Sequence, residues 1–190
     1  IVKFLSGLNA DFKVFHPHNS DALEFGADNI EVIDNSQFLK SCVQQVYDLF
    51  NEEGLMSEKQ VIIMSPDAGM YKTLMKSCDK IGWTGETYSA SKSRSCENGK
   101  SKLIQIVDRG DFNGEDILIV DDICVGGGTF IGLAKLLKVR NCGKIYACFS
   151  HITSNKVNPE LFKVFDKVFT TNSKNVVKEY EGMVEVIKMF

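Results

Sequence analysis

Short apolar runs that alternate with helix-length amphipathic segments constrain the fold of this chain more than any other feature. The runs Val61–Met64, Asp116–Val120 and Lys144–Phe149 have the length of buried strands. Apolar residues at helical spacing follow the first two runs, at 70–81 and 130–137. Strands separated by helices predict a parallel sheet covered by helices. The predicted fold class is therefore α/β, and in such sheets ligands bind beyond the carboxyl ends of the strands.

The composition excludes several classes of protein. Among the 190 residues, 44% are hydrophobic and 25% are charged, which is typical of a globular domain. The net charge of −3 provides no basic field for nucleic acid, and no apolar run approaches the about 20 residues of a membrane span. None of the six cysteines forms a CxxC pair or has zinc-ligand spacing. We therefore expect a cytoplasmic protein with reduced thiols, and neither a nucleic-acid partner nor a membrane partner.

The remaining segments predict further elements of the same kind. A helix is expected from Phe38 to about residue 50, with Asn35 or Ser36 at its N-cap. The polar segment Ser91–Ser101 shows no periodicity and predicts a mobile loop. Other strands are expected at Phe12–Phe15, Ile30–Ile33, Thr87–Ala90, Leu103–Val107, Lys167–Phe169 and Val184–Ile187, and a short helix at Pro159–Phe165.

The segment 117–130 carries the strongest functional signal. A buried strand ends in Asp121 and Asp122, and the run Gly126, Gly127, Gly128 and Thr129 then begins a helix. Bare amides at a helix N-terminus bind anions, and a threonine hydroxyl adds a donor. Two adjacent carboxylates suit ribose hydroxyls or a magnesium shell. The alternative interpretation is a tight turn with two solvated acids.

This segment resembles the phosphoribosyl-pyrophosphate loop that type I phosphoribosyltransferases share with ribose-phosphate pyrophosphokinases. Three further stretches resemble the pyrophosphokinases in particular. The turn Ser65-Pro66-Asp67-Ala68-Gly69 is similar to the start of their C-terminal domain, where the aspartate lies near diphosphate and metal. In Val14-Phe15-His16-Pro17-His18, His18 matches a histidine of their ATP and metal site. Lys92 and Arg94 lie where the family has a mobile catalytic loop.

The resemblance implies a fold, a reaction and a set of roles. The fold would be a phosphoribosyltransferase-type parallel sheet flanked by helices in residues 60–190, with residues 1–55 as the remnant of a second similar domain. The reaction would be that of a ribose-phosphate diphosphokinase, which uses ATP, ribose 5-phosphate and Mg²⁺ in nucleotide biosynthesis and assembles as a homo-oligomer. Lys92 and Arg94 would be catalytic, and His18 and Asp67 would lie at the diphosphate and metal. The ribose 5-phosphate site would comprise Asp121, Asp122, Gly126, Gly127, Gly128 and Thr129.

Two departures keep other functions open. The family usually carries an acidic or hydroxyl residue where this chain has Val125, and its N-terminal portion, which supplies much of the nucleotide site, would precede Ile1. Both departures favour a non-catalytic binding or regulatory subunit with the same fold. The other alternative is a type I phosphoribosyltransferase, although no segment resembles a hood that recognises a base. A helix-capping role for Asp67 and a surface role for His18, Lys92 and Arg94 are the simpler alternatives at those residues.

Overall fold

The computed structural model describes residues 5, 7–18, 23, 28–55, 60–97, 100–153, 157–174 and 184–189, with the backbone alone between residues 92 and 106. The strands are β1 (Phe12–Phe15), β2 (Ile30–Ile33), β3 (Val61–Ser65), β4 (Thr87–Glu97), β5 (Lys100–Val107), β6 (Asp116–Cys124), β7 (Ile145–Ile152), β8 (Lys167–Thr171) and β9 (Val184–Ile187). The helices are α1 (Ser36–Glu52), α2 (Ala68–Ile81), α3 (Gly128–Val139) and α4 (Leu161–Val164).

Seven strands form the main sheet in the order β5-β4-β3-β6-β7-β8-β9. All neighbours in it are parallel except β4 and β5, which are antiparallel. Strands β1 and β2 form a separate parallel pair. The predicted parallel sheet with helices on its faces is thus confirmed. Strand β6 lies between β3 and β7, so its carboxyl end opens near the middle of one sheet edge.

The core consists of two layers, one on each face of the sheet. Because side chains alternate along a strand, Ile117 and Ile119 of β6 pack on one face while Leu118 and Val120 pack on the other. Helix α3 covers the first face through Phe130, Ile131, Leu133, Ala134 and Leu137. Helices α1 and α2 cover the second face. The central strands are therefore apolar on both faces, as parallel sheets require.

Helix α1 packs directly on the main sheet. Its buried residues Phe38, Leu39, Cys42, Val46 and Phe50 join one apolar cluster with residues of β3, β6 and β7. Phe15 of β1 belongs to the same cluster, and Ile187 of β9 packs against it. Residues of segment 1–55, which was predicted to be the remnant of a second domain, therefore share a core with the main sheet. The domain boundary between residues 55 and 60 stays a prediction.

The segment predicted as the loop Ser91–Ser101 is a strand hairpin instead. Strand β4 continues to Glu97 and pairs antiparallel with β5, from Ala90 opposite Val107 to Glu97 opposite Lys100. Serine alternates with other residues at positions 89, 91, 93 and 95, which is a period of two that the loop prediction overlooked. Residues 91–95 of this strand include no apolar side chain, so the usual signal of burial is missing there and the polarity of the segment was misleading.

The amino end of β6 is closed by a buried carboxylate. Asp116 is fully buried and accepts hydrogen bonds from the backbone N–H of Lys144 at 2.8 Å and from the Tyr146 hydroxyl at 3.4 Å. Gly143 packs so closely here that an added Cβ would lie 2.2 Å from Asp116 Oδ1 and 2.4 Å from the Gly114 carbonyl oxygen. This end of the sheet is therefore tightly packed, opposite to the end where ligands are expected.

Within the described ranges, no helix has both the length and the apolar character of a membrane span.

Candidate functional site

The two acids predicted at the end of β6 lie within the last part of that strand. Asp122 is almost fully buried, at 4% exposure, and its backbone N–H donates to Asp121 Oδ1 at 2.9 Å. Burial, followed in size by the neighbouring Asp122 carboxylate, raises the pKa of Asp121 to about 7. The Asp121 carboxyl is therefore held in a site that favours its protonated form until donors or cations arrive.

The glycine run connects β6 to α3 by a left-handed turn. Gly127 is the N-cap of α3 at φ +81°, and an added Cβ would lie 3.2 Å from Leu161 Cδ1. At Gly126 and Gly128 an added Cβ would meet open space, and neither residue has a left-handed φ. The fold thus requires glycine only at Gly127. The other two leave the backbone bare where it faces the solvent, as close approach of a ligand requires.

Asp67 lies across from these residues, at the carboxyl end of β3. Its Oδ1 accepts a hydrogen bond of 3.1 Å from the backbone N–H of Met70 and so caps α2. The same residue lines the cleft with Asp121 and Asp122. The capping role and the placement at the candidate site, which were alternatives in the sequence, are therefore both present.

His18 reaches the acids from the turn that follows β1. Its Nδ1 lies 2.5 Å from Asp122 Oδ2, while its side chain is 84% exposed. The hydrogen bond to Asp122 is the main cause that raises the pKa of His18, and the charges of Asp121 and Asp67 act in the same direction. An exposed imidazole thus pairs with a buried carboxylate at the rim of the site.

These groups surround one cleft of about 740 Å³. It brings together all the predicted residues whose side chains the structure describes, namely His18, Asp67, Asp121, Asp122, Gly126, Gly127, Gly128 and Thr129. Lys92 and Arg94 lie in β4, whose first residues pair with β3, but their side chains are outside the described residues. Val125 also lines the cleft and is 54% exposed.

Two residues of α2 that were not predicted as site residues also line the cleft. Met70 and Thr73, one turn apart on this helix, line the cleft. Met70, the first apolar residue of the helical pattern at 70–81, is only half-buried. The available signal was the spacing of three residues directly after the Ser65–Gly69 turn, which places both side chains on one helix face.

A second cavity of about 190 Å³ adjoins the cleft. The two share His18, Met70, Thr73 and Asp122, and the second is bordered in addition by residues of β2, the β1 turn and α2. Lys76 and Lys80 bring positive charge to its wall, and Lys80 forms an ion pair with Asp34. A ligand in the cleft therefore has room to extend past His18.

The residues present fit a magnesium ion that is shared with a substrate. The described residues contain no cluster of three or more histidine, cysteine or acidic side chains arranged as a complete metal site. Mg²⁺, however, usually keeps several waters and takes one or two carboxylates together with substrate phosphates. Asp67, in the same cleft as the glycine run, offers a carboxylate of this kind.

Comparisons with known proteins agree with this geometry. A family described as phosphoribosyl transferase domain matches residues 29–181. The ribose-phosphate pyrophosphokinases of Aquifex aeolicus and Prochlorococcus marinus are each 29% identical, over 67% and 65% of this chain. The matched regions are 40% and 37% of those relatives, so the chain spans well under half the length of the curated relatives it matches.

A solved structure shows the same fold. The phosphoribosylpyrophosphate synthetase from Mycobacterium smegmatis superimposes with a TM-score of 0.69 at 17% sequence identity, and the match covers 99% of this chain and 59% of that one. The predicted phosphoribosyltransferase-type fold is thereby confirmed. Because the family match extends over well more than half of its residues, the chain belongs to the phosphoribosyl transferase domain family, where it resembles part of the ribose-phosphate pyrophosphokinases.

Proposed function

We propose that this chain forms the sugar-phosphate part of a ribose-phosphate diphosphokinase, which transfers the β,γ-diphosphoryl group of ATP to ribose 5-phosphate. The observation that carries the proposal is that one cleft contains paired acids, bare glycine amides and a further carboxylate. These are the acceptors for sugar hydroxyls, the cradle for a phosphate and a ligand for a metal, respectively. The proposed reaction is also supported by the chain's similarity to ribose-phosphate pyrophosphokinases.

The sugar phosphate would be held by β6 and the start of α3. The backbone of Gly126–Gly128 and the Thr129 hydroxyl would donate to the 5-phosphate, with the positive end of the α3 dipole behind them. Asp121 and Asp122 would accept hydrogen bonds from the ribose hydroxyls.

The transfer itself depends on how the two substrates are positioned and on neutralisation of the negative charge of the diphosphate. The oxygen of the 1-hydroxyl would form a bond to the β-phosphorus of ATP and lose its proton, while the bond from that phosphorus to the α,β-bridging oxygen breaks and AMP leaves. Phosphoryl transfer needs charge neutralisation more than covalent catalysis. Lys92 and Arg94 on β4 would supply cations, and His18 would stand beside the diphosphate. Mg²⁺ held at Asp67 would reduce the negative charge of the diphosphate.

A single assay tests the proposed function. The full-length gene product is incubated with Mg²⁺, ATP and ribose 5-phosphate, and AMP is measured. We expect AMP only when the sugar phosphate is present. Absence of AMP from a folded protein that still binds ribose 5-phosphate would refute the diphosphokinase and support the alternative below.

The second candidate is a binding subunit without catalysis. It is favoured by Val125, an exposed apolar side chain within the loop that would surround the sugar phosphate. The side chain of valine can neither donate nor accept a hydrogen bond there. If Val125→Thr raises the affinity for ribose 5-phosphate in calorimetry while AMP formation stays absent, the binding function is the better description.

A further inference from the structure

The turn that carries His18 has a backbone conformation that its own residues do not favour. His16 has φ 37°, in the left-handed region. Such a conformation costs a non-glycine residue free energy and persists where the surroundings impose it. The side chain of His18 is 84% exposed, so little packing of its own holds it. The position of His18 therefore depends on the groups that fix the turn.

The side chain of His151, near the end of β7, binds the backbone of this turn. Its Nε2 lies 3.2 Å from the carbonyl oxygens of both Phe15 and His16. Carbonyl oxygens only accept hydrogen bonds, so Nε2 must carry a proton and donate to them. On the other side of the ring, Nδ1 lies 2.7 Å from the Ser173 hydroxyl oxygen. The imidazole also packs edge-on against Phe15, with ring centroids 5.6 Å apart.

A second histidine ties the turn to the same strand. His16 is buried, and its Nδ1 lies 2.7 Å from the Ser150 hydroxyl. Burial lowers the pKa of His16 to about 4, so this contact involves a neutral ring near neutral pH. Ser173, the partner of His151, is in turn 2.9 Å from the Thr171 hydroxyl of β8. The turn is thus bound to the carboxyl ends of β7 and β8.

These contacts lie outside the cleft itself. Neither His151 nor Ser173 is among the described residues that line it. At the other end of the turn, His18 Nδ1 is 2.5 Å from Asp122 Oδ2. A chain of contacts therefore leads from Ser173 through His151 and the turn to the acids of β6.

We propose that His151 is a positioning residue, which fixes the turn His16–His18 so that His18 stands at the acids of the cleft. The catalytic consequence rests on the proposed function, whereas the structural consequence does not. Loss of the Nε2 donor should release the turn and move His18. The sites of the sugar phosphate, formed by β6 and α3, should remain as they are.

A matched pair of variants of the full-length gene product tests this role. The amide nitrogen of glutamine can replace Nε2 of histidine, whereas that of asparagine replaces Nδ1 and cannot reach the turn. We expect His151→Asn to lower kcat for AMP formation by roughly tenfold to a hundredfold, since small displacements at a reacting centre have effects of this size. The KM for ribose 5-phosphate should stay unchanged. His151→Gln should recover most of kcat.

Two further measurements separate this role from general stability. In the double variant His18→Ala/His151→Asn, kcat should be no lower than in His18→Ala alone, because His151 acts through His18. In crystal structures, His18 should leave hydrogen-bond distance of Asp122 in His151→Asn and retain it in His151→Gln. Should His151→Asn not fold, Ser173→Ala, at an exposed site, should give a smaller fall of kcat in the same direction.

The outcomes distinguish the two proposals. Equal loss of kcat in both His151 variants, additive effects in the double variant, or a His18–Asp122 contact that survives in His151→Asn would each overturn the positioning role. A wild-type protein that forms no AMP would refute the diphosphokinase function alone. The crystal structures of the variants would then still decide whether His151 positions His18.

Discussion

The backbone conformation and the packing of the fold do not require glycine at Gly126 or Gly128, two residues that line the cleft. Their φ angles are outside the left-handed region, and an added methyl group would meet no protein atom within 4 Å. Gly127 between them has both a left-handed φ and a close neighbour in Leu161. One glycine of the run thus serves the turn, and the other two leave space for a ligand.

A methyl group at Gly128 should therefore stabilise the protein and weaken ligand binding. Gly128 is the first residue of α3, and replacement of glycine by alanine at a compatible site stabilises by about 0.4–1 kcal/mol. We expect Gly128→Ala to be slightly more stable in urea denaturation. Calorimetry should show its affinity for ribose 5-phosphate reduced by roughly tenfold or more, about 1.4 kcal/mol.

Gly127→Ala is the matched control for this prediction. It should lose stability, because alanine is strained at φ +81° and its Cβ approaches Leu161. Unchanged affinity in Gly128→Ala would contradict the assignment of the glycine run to the phosphate.

The raised pKa of Asp121 should make stability fall as pH rises. Its pKa is about 7 in the folded protein, against an ordinary aspartate value of 3.8, so the folded state binds the proton more tightly. The protonated form is therefore the stabilised one, and that stability is lost between about pH 4 and about pH 7. Asp121→Asn cannot ionise and should avoid the loss. Melting temperatures measured from pH 4 to pH 8 should diverge, with the variant more stable at the upper end.

A parallel decline of the two proteins over this pH range would show that Asp121 titrates normally. Asp79→Asn serves as control, since Asp79 is an exposed acid on α2 and its replacement should leave the pH profile of the wild type intact.

Individual site residues differ in how far the sequence could reveal them. Asp121 and Asp122 lie in the last part of β6 and the glycine run follows that strand, so local order alone predicted that they lie together. The hydrogen bond from His18 to Asp122 joins residues 104 positions apart, and no local pattern encodes such a contact. Only the family resemblance indicated His18. Likewise, Thr73 enters the cleft through the tertiary position of α2.

Among the elements, the hairpin of β4 and β5 shows where sequence patterns fail. Apolar periodicity predicted the buried strands β3, β6 and β7, because burial selects their residues. Residues 91–95 of β4 are instead serine or charged residues, and this part of the strand is paired with the backbone of β5. The register places Lys92 opposite Gln105 and Arg94 opposite Leu103. Both candidate catalytic residues thus belong to a paired strand.

Removal of either cation from this hairpin should affect the rate more than the binding of the sugar phosphate. We expect Lys92→Ala and Arg94→Ala to lower kcat for AMP formation by roughly 10², as for the loss of one group that stabilises a transition state. The KM for ribose 5-phosphate should change little. Lys72→Ala, at an exposed lysine of α2 that does not line the cleft, provides the control. If the Lys92 and Arg94 variants have the same kcat as this control, neither residue takes part in catalysis.

At the scale of the whole molecule, α1 connects the first strands to the main sheet. Phe50 of this helix is fully buried in the cluster that also contains residues of β1, β3, β6 and β7. The sequence predicted that α1 is a helix, but its partner surface depends on the fold as a whole. The division of the chain after residue 55 therefore has to be tested by measurement.

Because α1 shares a core with the main sheet, we expect the chain to unfold in a single transition. Phe50→Ala should lower the free energy of unfolding by about 3–5 kcal/mol, as usual for a phenylalanine removed from a core. Fluorescence and circular dichroism should report the same shifted transition. Val139→Ala, at a position that is 85% exposed, should change stability by less than about 0.5 kcal/mol. Two separate transitions would indicate that residues 1–55 and 60–190 are independent domains.

The buried Asp116 and Gly143 are at the amino end of the sheet, and the cleft is at the carboxyl end. Variation is therefore tolerated unequally along β6. A side chain at Gly143 would collide with Asp116 and lower the amount of folded protein in a cell, whereas a change such as Val125 in the loop beyond the strand leaves folding intact. Substitutions at the carboxyl end of β6 can therefore alter what the cleft binds without the loss of folded protein that substitutions at its amino end cause.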